Sequence, residues 1–221
     1  MNNLLLIMMQ SKLFEGFTPK DCETILSLIN PRYKSFLKNE FLIQDGDRVD
    51  YVGVICSGKI VTAKLDYEGN ARLLYMLEPP KLFGLEIAAT PTQISSITVT
   101  SMEDTSVALF SYAKLTTEGM LSSEFCNRLM HNMLTVLANE NMKRMYKIDL
   151  LCHKSLRERV LTYLRFIAQK KGTTSSFTIP FNRDQLAQYL NVNRSALSHE
   201  LGLMQREGLI SFNKNKFTLY V

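Results

Sequence analysis

A pair of short helical patterns joined by a tight turn lies near the carboxy end of the sequence. Residues 183–190 are typical of a short helix, and small Ala187 on its apolar face would let a second helix cross closely. Residues 191–193 predict the turn, and Asn193 is placed to cap a helix over residues 194–205. This spacing is typical of a helix-turn-helix, whose second helix enters the major groove of DNA.

The second predicted helix separates apolar from polar residues. Leu197, Leu201 and Met204 share one face, which we expect to be buried. The polar surface at its amino end consists of Asn193, Arg194, Ser195, Ser198 and His199. Side chains at such positions reach base edges, and an Arg can make two hydrogen bonds to guanine O6 and N7. We predict that these five residues bind double-stranded DNA; a helical hairpin with merely exposed polar residues is the alternative.

The distribution of charge along the chain favours DNA binding. The formal net charge of the 221 residues is +5. Residues 1–142 hold 12 Lys and Arg against 16 Asp and Glu, whereas residues 143–221 hold 14 against 5. Because neutralised phosphates supply the sequence-independent part of nucleic-acid affinity, this asymmetry predicts that the last third of the chain binds a polyanion.

Further elements are needed to position the two helices. Ser155 and Glu158 form a capping-box pattern, which predicts the start of a helix that ends in a basic, glycine-containing segment. Residues 209–212 and 216–221 flank a short polar turn and are typical of a β-hairpin. The sequence therefore predicts a winged helix-turn-helix domain over residues 151–221.

The region before residue 111 has a different pattern. A Thr18-Pro19 pair predicts the start of a first helix. Short β-rich runs follow, separated by glycine turns at residues 45–47, 57–59 and 68–70. Regular short strands of this kind predict an antiparallel barrel or sandwich. We therefore predict an α+β protein in which residues 1–121 form a β-rich domain.

One long helix is predicted between the two domains, over residues 122–150. Residues 122–149 contain no Gly or Pro and have apolar residues at helical spacing. Between Leu129 and Ala138 the apolar side chains cover most of the circumference, so a single barrel face cannot account for them all. We predict that the same helix of a second copy covers the rest, in a homodimer. Burial against a terminal helix of the same chain is the alternative.

Nearly the whole chain, residues 11–221, resembles the Crp/Fnr superfamily of bacterial transcription regulators. The most specific match is the string RDQLAQYLNVNRSALSHELGLMQREGLI, residues 183–210. Four barrel glycines fall at the turn spacing of that family: Gly46, Gly58, Gly69 and Gly84. The resemblance implies that the β-rich domain is a cyclic-nucleotide-binding-like antiparallel β-barrel of the double-stranded β-helix, or jelly-roll, type. It implies a cytoplasmic homodimeric regulator, and that this regulator contacts RNA polymerase. It also places Arg194, Ser195 and His199 at base-reading positions, although many members carry Arg where this chain has His199.

The effector of this chain is expected to differ from cyclic AMP. Members that bind cyclic AMP have a Gly-Glu pair for the ribose and an Arg-Ser or Arg-Thr pair for the phosphate. Here Leu85 takes the Glu position, Ser95 takes the Arg position, and residues 87–99 contain no Arg or Lys. A phosphate desolvated without a cation is costly. Our candidates for binding an unidentified small-molecule effector are Gly84, Leu85, Glu86, Ser95 and Ser96, with Asn139, Glu140 and Asn141 of the long helix. Those last three residues can equally be a solvated face.

The sequence does not favour a metal-based sensor. Its four cysteines, Cys22, Cys56, Cys126 and Cys152, are widely spaced. Only Cys22 lies near the amino terminus, where iron-sulfur members of the family cluster their ligands. The histidines, His131, His153 and His199, all lie outside the predicted barrel. We expect inert thiols and no metal, haem or iron-sulfur cluster; Cys56, placed in a turn, and His131 are at most isolated ligands.

Two other classes of function compete with DNA binding. A ligand-binding or scaffold module could use its helix-turn-helix for protein contacts, but the charge distribution and Arg194 argue against it. For an enzyme we find no phosphate loop, dinucleotide fingerprint, zinc motif or nucleophile elbow. The apolar run over residues 4–9 is too short to span a bilayer and has no cleavage site. We therefore expect a cytoplasmic protein that does not associate with a membrane. The operator, the target genes and the choice between activation and repression stay open.

Overall fold

The chain forms two compact units. Our computed structural model describes residues 3–65, 71–117 and 119–220. Contacts between Cα atoms assign Met1–Glu140 to the first unit and Asn141–Val221 to the second. The division falls within the long helix, which runs over Ser123–Cys152. This helix begins one residue later and ends two residues later than the expected range of 122–150. The domain boundaries drawn from the sequence at residues 121 and 150 stay a prediction.

The first unit begins with helices that pack on its sheets. They are α1 (Asn3–Gln10), a 3-10 turn (Lys12–Phe14) and α2 (Pro19–Ile29), followed later by the short α3 (Leu85–Ala88) and α4 (Tyr112–Thr116) and by α5 (Ser123–Cys152). The predicted start of α2 is confirmed, because Thr18 and Asp21 each accept a hydrogen bond from the other's backbone amide. Helix α1 was not predicted; its residues Leu5 and Met8 are buried in the core.

Among the described residues of the first unit, eight strands form two antiparallel sheets. They are β1 (Arg32–Phe36), β2 (Phe41–Ile43), β3 (Tyr51–Ser57), β4 (Ile60–Leu65), β5 (Ala71–Leu77), β6 (Leu82–Phe83), β7 (Thr98–Ser101) and β8 (Thr105–Ser111). One sheet has the order β1-β8-β3-β6 and the other β2-β7-β4-β5. The predictions of an α+β protein and of an antiparallel jelly-roll are confirmed. Across the described strands no ladder of backbone hydrogen bonds joins the two sheets, so the barrel is not closed.

Two apolar clusters hold the first unit together. One joins α1, α2, β3, β8 and the amino-terminal half of α5, and it includes Phe14, Phe110 and Leu129. The other lies between the sheets and includes Ile55 and Phe83. Gly53 belongs to this packing, because a Cβ atom there would stand 2.1 Å from the ring of Phe83. The amino-terminal half of α5 is therefore part of the core of the first unit.

The second unit is built around one apolar cluster. Its elements are α6 (Leu156–Lys171), β9 (Phe177–Thr178), α7 (Arg183–Tyr189), α8 (Arg194–Arg206), β10 (Ile210–Asn213) and β11 (Lys216–Leu219). The predicted capping box of Ser155 and Glu158 starts α6, and Gly172 ends it in a left-handed conformation with φ 67°. The strands form a sheet of order β10-β11-β9, so the predicted hairpin is present.

Candidate nucleic-acid interface

Helix α7 starts at a cap that the sequence reasoning missed. The side chain of Asn182 accepts a hydrogen bond from the amide of Gln185 at 2.9 Å, and the Gln185 side chain accepts one from the amide of Asn182 at the same distance. This reciprocal pair satisfies two exposed amides and fixes where α7 begins. The signal was present in the sequence as an Asn three residues before a Gln.

The turn between α7 and α8 is tightly specified. Asn191 has a left-handed backbone with φ 55°, which Asn tolerates better than most residues. The amide of Val192 donates to the carbonyl of Ala187 at 3.0 Å, so the chain folds back over the small residue. Asn193 occupies the N-cap position as predicted, and its carbonyl accepts from the Leu197 amide. Its side chain, however, makes no capping hydrogen bond and is exposed.

Helix α8 has the two faces that the sequence predicts. Leu197, Leu201 and Met204 are fully buried. The polar residues at the amino end, Arg194, Ser195, Ser198 and His199, are all exposed. Their side chains therefore lie within reach of a partner, on a helix held by its opposite face.

Arg194 has an acidic neighbour on α7. Its Nη1 atom lies 3.4 Å from Oδ1 of Asp184, with 66% and 58% of the two side chains exposed. An ion pair so accessible to water and salt stabilises a fold little. Its effect is local: it keeps the guanidinium near the start of α8 while leaving it accessible.

Arg157 of α6 forms ion pairs with one acidic residue of α8 and with another at the end of that helix. Its Nε atom lies 2.7 Å from Oε1 of Glu200, and its two Nη atoms contact the carboxylate of Glu207 at 2.7 and 2.9 Å. These charge-assisted hydrogen bonds raise the pKa of Arg157. The partners lie 43 and 50 positions away in sequence, so no local pattern revealed this contact.

Arg159 and Arg183 support the same domain. The Nε atom of Arg159 donates to the carbonyl of His153, and its Nη1 atom donates to that of Leu190, at the end of α7. Arg183 lies over the ring of Phe212, 4.8 Å from its centroid. Burial lowers the pKa of Arg183, and the nearby charge of Arg194 adds to the effect. Both residues are partly buried, and their contacts join separate elements of the domain.

Several candidate effector-binding residues of the first unit already contact other residues of the protein. Leu85 is buried in the core cluster that also contains residues of α5. Glu86 accepts a 2.6 Å hydrogen bond from the hydroxyl of Tyr75. The buried Ser95 hydroxyl donates to the carbonyl of Ile97 at 2.7 Å, whereas Ser96 is exposed. The side-chain oxygens of Glu86 and Ser95 therefore have hydrogen-bond partners within the protein.

The remaining candidates are glycines and residues of α5. Gly46, Gly58 and Gly84 have φ of 90°, 81° and 77°, as expected for turn positions, whereas Gly69 lies outside the described residues. On α5, Asn139 and Asn141 are exposed and Glu140 is half-buried.

The cysteines show no grouping in the part of the chain that the structure describes. Cys22 and Cys126 are buried, Cys56 is partly buried and Cys152 is exposed. Burial raises the pKa of Cys22 to about 11 and also raises that of Cys56. Cys56 lies within β3 and not in a turn, because that strand continues to Ser57. Among the described residues no three His, Cys, Asp or Glu side chains cluster as metal ligands, and none of the described helices is long and apolar enough to cross a membrane.

Comparison with known proteins identifies both units. A Crp-like helix-turn-helix domain matches residues 158–220, and a cyclic nucleotide-binding domain matches residues 33–118. The cyclic AMP receptor protein of Thermus thermophilus is 26% identical over 201 residues, which cover 90% of this chain and 88% of that protein. The transcriptional activator protein FnrA of Stutzerimonas stutzeri is 24% identical over 184 residues, 81% and 72% of the two chains.

A solved structure shares the fold. The catabolite activator protein of Thermus thermophilus superposes with a TM-score of 0.56 at 22% identity, covering 94% of this chain and 93% of that one. The chain therefore belongs to the Crp/Fnr family of transcription regulators, with a DNA-binding helix-turn-helix and a cyclic-nucleotide-binding-like domain.

Proposed function

We propose that this regulator binds operator DNA by inserting the amino end of α8 into the major groove. The observation that carries the proposal is the exposure of Arg194, Ser195, Ser198 and His199 on a helix whose opposite face is buried. Arg194 would contact guanine through two hydrogen bonds, and the hydroxyls and His199 would bond to bases or phosphates. Asn193, exposed before the first turn, would contribute its amide. The chain has no enzymatic role in this proposal, and it acts in the cytoplasm.

We further propose that the protein acts as a homodimer. Within the first unit, Leu129 and Met133 of α5 are buried, whereas Met130 and Leu134 are 47% and 65% exposed. These exposed apolar residues lie one turn apart, so they form a stripe beside the face that packs on the sensor. A second copy of α5 would cover this stripe. A dimer would then present two α8 helices to half-sites roughly 34 Å apart.

The proposed effector is a small molecule other than cyclic AMP. The segment after Glu86 contains no Lys or Arg up to Thr100, and the Glu86 carboxylate already accepts from Tyr75. An anionic cyclic phosphate would therefore have no cation from this segment. The scattered thiols do not favour an iron-sulfur cluster or haem. RNA polymerase is the proposed partner at the promoter. Native mass spectrometry of the freshly purified protein would show a bound effector by its mass.

The DNA-binding proposal is tested by titrating the protein against fluorescent duplexes. We expect affinity to fall linearly with the logarithm of salt concentration, because each neutralised phosphate releases counterions. A selected operator should bind more tightly than a mixed-sequence duplex. Absence of binding, or binding insensitive to salt, would contradict the proposal and would favour a scaffold whose helix-turn-helix contacts proteins.

A further inference from the structure

The carboxy-terminal turns of α5 belong to the second unit and pack on its helices. The ring of Tyr146 stacks on that of Phe166 in α6, with centroids 4.0 Å apart, and its hydroxyl donates to the carbonyl of Thr162 at 2.9 Å. Leu150 is fully buried in the apolar cluster of this unit. The two contacts of Tyr146 join α5 to the helix that follows it in the chain. A further contact, made by Lys147, joins α5 to the helix-turn-helix itself.

Lys147 lies over the last residue of α7. Its Nζ atom is 4.8 Å from the centroid of the Tyr189 ring, within the range of a cation–π interaction. Tyr189 ends α7 and directly precedes the turn to α8. The Lys147 side chain is half-buried, and burial lowers its pKa. An aromatic ring attracts a partly desolvated ammonium more strongly than one that is fully hydrated. This contact therefore links α5 directly to the pair of helices that we propose to bind DNA.

Two further rings restrict the Tyr189 side chain. The centroid of its ring lies 4.9 Å from that of Phe181 and 5.3 Å from that of Tyr163. The Phe181 and Tyr163 rings are also stacked on each other, with centroids 6.0 Å apart. The three rings thus form one aromatic cluster, in which each ring contacts the other two. Because the cluster holds the Tyr189 ring, its contact with Lys147 constrains α7 and not merely one mobile side chain.

We propose that Lys147 is a positioning residue, which holds the helix-turn-helix against α5 through Tyr189. The proposal rests on the DNA-binding homodimer proposed above. In that dimer the two α5 helices contact each other, so the Lys147 contact in each copy limits the range of spacings between the two α8 helices. Without it, each helix-turn-helix can adopt more positions, and ordering both of them on an operator costs more entropy. A single half-site requires no spacing between copies. Loss of the contact should therefore weaken binding to a complete operator more than binding to half of one.

The test compares a complete operator, selected from random DNA, with a duplex that carries one of its half-sites. Fluorescence titration of the full chain measures both affinities. We expect the wild type to prefer the complete operator. Lys147→Met keeps the apolar stem but removes the cation, and should reduce this preference by about threefold for each copy, or about tenfold for the dimer. Lys147→Arg keeps a cation that can stack on an aromatic ring and should retain the preference. Lys170→Met removes an exposed lysine of α6 and should also retain it, because a lost charge alone weakens binding to both duplexes alike.

Substitutions of Tyr189 complete a double-mutant cycle. Tyr189→Phe keeps the ring and should retain the preference, whereas Tyr189→Leu removes the ring and should reduce the preference as Lys147→Met does. Combining Lys147→Met with Tyr189→Leu should reduce it no further, because both substitutions break the same contact. Tyr163→Phe is a control within the aromatic cluster. It removes a buried hydroxyl that has no hydrogen-bond partner among the described residues, and it should leave the preference unchanged.

The outcomes distinguish this inference from the proposed function. If Lys147→Met keeps the preference for the complete operator that the wild type shows, the inference is overturned and the proposed function stands. The inference is also overturned if Lys147→Met melts at a lower temperature and binds both duplexes equally less well, because the contact would then only stabilise the fold. If the wild type binds the complete operator no better than the half-site, the proposed dimeric regulator fails, and the inference fails with it. A lower preference in Lys147→Met that is non-additive with Tyr189→Leu, and absent in Lys147→Arg, supports the inference.

Discussion

The two units differ in whether their candidate binding residues are exposed. In the helix-turn-helix, the predicted contacts point outward: α8 is anchored through Leu197 and Leu201, and its polar side chains are exposed. In the first unit, candidate effector residues contact the protein itself: Leu85 is part of the core and Glu86 is bonded to Tyr75. The side chains proposed to bind DNA are thus free to meet a partner, whereas these two effector candidates already contribute to the fold.

We expect the largest loss of stability from truncating a buried side chain that packs α8 against the core of the second unit. Leu201→Ala creates a cavity in the second core and should lower the free energy of unfolding by about 2–5 kcal/mol, with loss of DNA binding. Urea unfolding of the full chain measures it. Leu203→Ala is the matched control, because Leu203 is only partly buried. Equal losses in the two variants would contradict the division of α8 into a buried and an exposed face.

Removing the proposed base contact should affect binding without affecting folding. Arg194→Ala should weaken binding to an operator selected from random DNA by about 1–3 kcal/mol. Binding to mixed DNA should change less, because the lost contact is specific to the base. The melting temperature serves as the control and should stay near that of the wild type. If the operator affinity were unchanged, Arg194 would not be a residue that contacts the bases.

The substitution Tyr75→Phe tests whether the hydrogen bond between Tyr75 and Glu86 stabilises the first unit. Losing the hydroxyl removes the hydrogen bond to Glu86 and should lower stability by about 1 kcal/mol. Affinity for mixed DNA should stay unchanged. Tyr220→Phe removes a hydroxyl that contacts Ser211 at an exposed site, and we expect a smaller loss of stability there. If the two substitutions had equal effects, the Glu86 contact would not be structural.

The smallest effect on stability is expected at the ion pair beside the reading helix. Asp184→Asn should change the free energy of unfolding by less than about 0.5 kcal/mol, because both partners are exposed. Affinity for mixed DNA should rise slightly, since a negative charge near the phosphates is lost. Parallel unfolding and fluorescence titrations measure the two quantities. A large loss of stability would show that this pair has a structural role.

The local parts of the fold could be predicted from the sequence. The caps at Thr18 and Ser155 and the turn at Asn191 depend on residues within a few positions of one another. Helix α1 was missed because residues 4–9 are a continuous apolar run, which shows no helical periodicity. The contact of Arg157 with Glu207 could not be found, since it joins residues that only the tertiary fold brings together. The open edges of the two sheets likewise depend on long-range pairing.

The Arg157 contact also affects how α8 meets its target. Glu200 and Glu207 belong to the recognition helix and to its end, and their negative charges would repel an approaching phosphate backbone. Arg157 neutralises part of that charge and holds both carboxylates in place before any partner arrives. In the DNA complex proposed above, these two side chains would need no further ordering on association. Such preorganisation lowers the entropic cost of binding and so favours affinity.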